Sequence, residues 1–96
     1  IDWTQSVKEI HTLIRATTYP YPGAYTFFND SKLTIWKASY SENNNFDSGK
    51  ILEIGHDFVK IGCKNGCIFL KDVSLEHEHL SINQIFNQDD LGKILD

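Results

Sequence analysis

The chain has 96 residues, 41% of them hydrophobic and 23% charged, the balance of one soluble globular domain built on a single core. Nine Lys and Arg against thirteen Asp and Glu leave a net charge of −4, which argues against a dedicated nucleic-acid binder. No apolar run approaches the ~18 residues of a membrane span, no basic-then-apolar start resembles a signal peptide, and the lack of methionine points to an excised piece or a processed product.

The opening segment has helical spacing. Trp3, Val7, Ile10 and Ile14 step by four, three and four, predicting one apolar stripe on a helix over residues 4–16. Thr4 or Ser6 can cap it, the latter with Glu9 as its capping-box partner. Tyr19-Pro20-Tyr21-Pro22-Gly23 ends it, because each residue before a proline is pushed to extended geometry. Strand and turn texture follows. Residues 24–28 are aromatic-rich, Asn29-Asp30-Ser31 reads as a turn, and residues 32–40 form a second strand with Leu33 and Ile35 alternating against Thr34 and Trp36. Residues 41–48 are polar and Asn-rich, the composition of a mobile loop. Strands over 50–54, 58–63 and 67–75 come next, the last two joined by a type I′ turn centred on Asn65-Gly66. That register puts Val59, Ile61 and Cys63 on one face with Ile68 and Leu70, the expected interior. Ser81 then caps a short helix over 82–86 whose apolar face is Ile82, Ile85 and Phe86, and Leu91, Ile94 and Leu95 form an apolar tail.

No residue cluster announces chemistry. Cys63 and Cys67 fall on opposite strand faces, too few and too badly placed for a zinc site or a bridge, and read as buried or half-buried thiols. His77-Glu78-His79 has the period that puts two imidazoles on one strand face, a spacing some metal sites use, but no third ligand is nearby and residues 76–79 lie where a strand gives way to a loop, so they read as a solvated polar turn. His11 falls on the polar side of the first helix, and His56 sits in a turn. Catalytic, cofactor-binding and metal residues are therefore expected to be absent from this chain. The aromatics, Trp36 and Tyr25 among them, raise the alternatives of core packing or base stacking on an open sheet face, with Arg15, Lys32 and Lys37 able to sit beside them. The fold class these elements predict is mainly β: a small OB-like antiparallel barrel, preceded by an N-terminal linker helix and followed by a short C-terminal helix.

Leu13-Ile14-Arg15-Ala16, then Pro20-Tyr21-Pro22-Gly23-Ala24-Tyr25-Thr26, then Leu33-Thr34-Ile35-Trp36-Lys37-Ala38 resemble the C-terminal domain of the 10-formyltetrahydrofolate-dependent formyltransferases, a family that includes methionyl-tRNA formyltransferases and amino-sugar N-formyltransferases. Gly49-Lys50-Ile51-Leu52 is similar to that family's "PGxIL" strand without its proline, and Leu80-Ser81 onward to its terminal helix and tail.

The resemblance implies a linker helix and Pro turn over residues 1–22 and an OB-like domain over 23–96. It implies a cytoplasmic protein whose catalysis and 10-formyltetrahydrofolate belong to an N-terminal Rossmann-like domain. Trp3, Tyr19 and Tyr21 are then candidates for interdomain packing, against the alternatives of core for Trp3 and a rigid turn for the prolines. Arg15, Lys32 and Lys37 are candidates for acceptor contact. The acidic balance and the "YPYPGAYTFF" wording favour an amino-sugar nucleotide as acceptor, with tRNA as the alternative. A basic stripe of Arg15, Lys32, Lys37 and Lys60 on one face would reverse that preference. A free-standing binding barrel that merely shares the fold is the third reading.

Overall fold

The computed structural model describes residues 1–96. Helix α1 spans Val7–Thr17. It starts later than the apolar stripe suggests because Asp2 takes the first turn, its Oδ1 accepting from the Thr4 N–H at 3.0 Å. Ser6 then closes a capping box with Glu9: the Glu9 N–H donates to Ser6 Oγ and the Ser6 N–H to Glu9 Oε1, each at 3.2 Å. Val7, Ile10 and Ile14 are fully buried, and Trp3, outside the helix, joins the same core.

Six strands follow: β1 (Ala24–Phe28), β2 (Ser31–Glu42), β3 (Ile51–Ile54), β4 (Val59–Cys63), β5 (Gly66–Leu75) and β6 (Glu78–Leu80). They form one antiparallel sheet in the order β1-β2-β5-β4-β3, with β6 added beside β5. Asn29 and Asp30 take positive φ between Phe28 and Ser31, the left-handed pair a two-residue hairpin needs. The free edges β1 and β3 are not paired with each other. Residues 92–96 lie between them, Asp96 exchanging both backbone hydrogen bonds with Phe27, the Ile51 N–H donating to Lys93 O, and the Leu95 N–H to Gly49 O. Of the expected apolar tail, only Leu95 is buried by this bridging; Leu91 and Ile94 face solvent.

Three further expectations need correction. The β4–β5 turn is centred on Lys64-Asn65, since Cys63 pairs with Gly66 and Ile61 with Ile68, and neither turn residue takes positive φ. Asn65 is instead committed elsewhere, its Oδ1 accepting from the Val7 N–H at 2.9 Å at the start of α1. Gly66 is needed for close approach, as a Cβ there would sit 2.1 Å from the Ser41 carbonyl of β2. The two-residue change of register keeps face parity, so Val59, Ile61, Cys63, Ile68 and Leu70 do share the core face. Second, residues 41–48 are not a free loop. β2 runs on through Glu42, and Asn43, Phe46 and Gly49 donate backbone hydrogen bonds to Asn65, Cys63 and Gly62. Third, the solvated turn expected over residues 76–79 is there, exposed and with Glu76 at positive φ, but it is the tip of a hairpin that leads into a sixth strand from Glu78. α2 (Ile82–Ile85) carries a Ser81–Gln84 capping box, and a 3₁₀ turn, Gln88–Asp90, follows it. No helix is long and apolar enough to cross a membrane.

Candidate functional site

The site is made by a break in alternation that occurs in two strands at once. On β2 the core-facing residues are Leu33 and Ile35 before the break, and Ala38 and Tyr40 after it. On β5 they are Ile68 and Leu70, then Val73 and Leu75. The register between the strands is irregular on both sides of Lys37. Two consecutive residues on each strand, Trp36-Lys37 and Lys71-Asp72, are thereby turned away from the core, the re-aiming that strand irregularities produce.

Helix α1 lies across this corner. Thr18 Oγ1, just past its end, donates to the Trp36 carbonyl at 2.8 Å. His11 Nε2 lies 3.1 Å from the Ala38 carbonyl, which can only accept, so this nitrogen carries the proton. The His11 ring also packs against Tyr40 with centroids 4.7 Å apart, so His11 faces β2 rather than solvent. Between helix and corner lies a groove of about 530 Å³ whose walls include His11, Arg15, Trp36, Lys37, Ser39 and Lys71. No carboxylate lines it, and Arg15, Lys37 and Lys71 form no ion pair. Arg15 sits in the last turn of α1, where the helix dipole favours a cation. Lys60 lies on the same outer side, since Ser39, Phe69 and Lys60 are direct partners across β2, β5 and β4. Its ammonium is 5.9 Å from the Phe69 ring centroid.

A second groove, about 330 Å³, opens on the other side of Trp36 and is lined by Pro22, Lys32, Thr34, Ser74, Glu76 and His77 with Trp36 itself. Lys32 Nζ stands 4.6 Å over the Tyr25 ring, and Glu76 Oε1 accepts the Lys32 N–H at 3.0 Å.

Of the residues singled out from sequence, Arg15 and Lys37 meet in the first groove, and Lys32 lies in the second. Trp3 is buried in this chain's own core, its Nε1–H donating to Thr26 Oγ1 at 2.9 Å. Tyr19 and Tyr21 stand out from the turn after α1, 83% and 63% exposed, and line neither groove. Lys71 was missed. The signal was present: the three-residue step from Leu70 to Val73, matched by Ile35 to Ala38, is incompatible with unbroken alternation.

The thiols are packing groups. Burial, with a smaller push from Cys67, raises the Cys63 thiol to about 12. Burial also raises Cys67, against a weaker pull from Lys60. His79 pairs with Asp72, and no group of three His, Cys, Asp or Glu side chains is placed to hold a metal.

A family model described as "Formyl transferase, C-terminal domain" matches residues 1–90. The methionyl-tRNA formyltransferase of Acetivibrio thermocellus is 35% identical over 78 residues, covering 79% of this chain and 25% of that protein. Its namesake in Ruminiclostridium cellulolyticum is 30% identical over 103 residues, 97% of this chain and 33% of that protein. The one in Clostridium beijerinckii is 33% identical over 89 residues, 91% of this chain and 29% of that protein. The chain thus spans a quarter to a third of the length of these curated relatives.

Proposed function

This chain belongs to the formyl transferase C-terminal domain family, and from that membership we propose that it is the acceptor-docking domain of a methionyl-tRNA formyltransferase. The observation that carries the reading is the first groove: Arg15, Lys37 and Lys71, none of them ion-paired, converge in a cleft whose walls include no carboxylate, Asp72, the cross-strand partner of Lys37, being paired with His79 instead. Phosphates are the natural complement of such a surface. The relatives back this alternative better than the amino-sugar acceptor favoured by overall charge. Net charge misled because binding responds to the local field, and the thirteen acids are placed outside this groove.

In this reading the formyl group passes from 10-formyltetrahydrofolate to the amine of the charged tRNA in a catalytic domain carried elsewhere in the protein. The two grooves beside Trp36 offer cations and hydroxyls in open clefts, and no step of the transfer is assigned to their residues. What the domain contributes is position. Backbone contacts fix the register of the RNA, and a held acceptor makes the transfer effectively intramolecular. Lys32 is a further acceptor contact. Residues 1–22 form the joint, with Tyr19 and Tyr21 facing the catalytic domain and Trp3 bracing the joint from the core side.

Titration with tRNA and, separately, with an amino-sugar nucleotide tests the proposal. Three phosphate contacts give a salt slope of about −2.7, so tRNA affinity should fall about 40-fold between 50 and 200 mM salt. Saturable binding of the sugar nucleotide with no tRNA binding would overturn it.

A further inference from the structure

Trp36 is the one residue that lines both grooves, and it is held in place from several sides. Its Nε1–H donates to Ser74 Oγ at 2.9 Å, and its carbonyl accepts from Thr18. Gly23, at φ +89°, leaves room for the ring: a Cβ there would come within 2.8 Å of it. The indole is thus a half-buried, fixed ridge, an aromatic whose ordering cost is already met before any ligand arrives.

The two sides of the ridge differ in chemistry. The first groove presents three free cations and no acid. The second presents the hydroxyls of Thr34 and Ser74, the His77 imidazole, and one cation and one acid, Lys32 and Glu76. A phosphate suits the first, with three cations and no acid, better than the second, where Glu76 offsets Lys32. Donor-rich groups, such as a ribose hydroxyl or an exocyclic amine, suit the second.

We propose that Trp36 is a stacking platform for one unpaired nucleotide of the RNA, with the phosphates of that nucleotide and its chain neighbours on Arg15, Lys37 and Lys71 and its ribose or base edge in the Thr34–Glu76 groove. The inference rests on the tRNA reading and narrows it, because a paired base inside a helix cannot reach an aromatic face and a splayed one can.

Fluorescence gives the test, since Trp36 is half-buried while Trp3 is enclosed and serves as the internal fold reference. The chain is titrated with a short unstructured oligouridylate, a blunt RNA duplex and tRNA at low salt. The oligouridylate and tRNA should change Trp36 emission and shield it from acrylamide, and the duplex should not. Trp36→Phe should keep oligouridylate affinity within about threefold, and Trp36→Leu should lose about tenfold or more. Should the Leu variant alter Trp3 emission, the acrylamide shielding of the unmodified chain decides. Equal binding of duplex and oligouridylate with unchanged Trp36 emission overturns the stacking platform. In that case salt-sensitive tRNA binding leaves the docking reading standing, whereas absence of tRNA binding removes both.

Discussion

Two places in this small domain treat their cations oppositely. In the turn after α2, Lys93 Nζ donates to Asp90 Oδ1 at 2.7 Å, and the Asn87 N–H donates to Asp90 Oδ2 at 3.0 Å. The Asp90 side chain is only 6% exposed, so its charge is tolerated because every acceptor has a donor. At the β2–β5 corner, Arg15, Lys37 and Lys71 border a groove with no acid among its walls. Charge that holds the fold is partnered inside the chain; charge left without a partner is available to a ligand.

The largest expected effect breaks the second half of that contrast. Lys37→Glu combined with Lys71→Glu should lower tRNA affinity by roughly two orders of magnitude, read by fluorescence anisotropy at low salt. Both side chains are on the outer side of the sheet, so stability in urea should stay within about 0.5 kcal/mol. A comparable loss of stability would mean that the corner cations hold the fold after all.

Asp90→Ala tests the first half. Removing the carboxylate leaves the Asn87 N–H without its partner and should cost about 1–3 kcal/mol in urea unfolding, with tRNA affinity unchanged. The pH dependence sharpens it. Burial alone raises the Asp90 carboxyl, but the Lys93 hydrogen bond, the Asn87 N–H and the Lys93 charge outweigh it and hold the group below its ordinary 3.8. A lowered folded-state value means the unfolded chain binds the proton more readily. Asp90's contribution is therefore fully present above about pH 4 and is lost as pH falls through the folded value. Asp90→Asn should flatten that acid limb in a melting series below pH 4.

The smallest effect is at the cysteines. With Cys63 at about 12 and both thiols buried, alkylation at neutral pH should be negligible in the folded chain and fast in urea. Rapid labelling of the native protein would contradict the packing described for β4 and β5.

Local chemistry made much of the fold readable. The Ser6–Glu9 box, the Asn29-Asp30 turn and the apolar partners of β4 and β5 each follow from interactions within a few residues or across one hairpin. The β4–β5 turn did not follow, because Asn65 serves the N-terminus of α1, 58 positions away in the chain. The groove lay further out of reach. It depends on two parity breaks facing each other across β2 and β5, and on a helix whose Thr18 and His11 bond the carbonyls there. Each break is visible alone, between Ile35 and Ala38 and between Leu70 and Val73, but their juxtaposition is a tertiary fact. The same is true of charge: the sum over 96 residues is acidic, and only the folded arrangement gathers three cations around one groove with no acid among its walls.

The most direct measurement is the salt dependence of tRNA binding for the unmodified chain and for Arg15→Ser, Lys37→Ser and Lys71→Ser. The docking account expects a slope of about −2.7 for the parent and a decrease in magnitude of about 1 for each variant. A slope unchanged by all three substitutions, or tRNA binding that ignores salt, would contradict it.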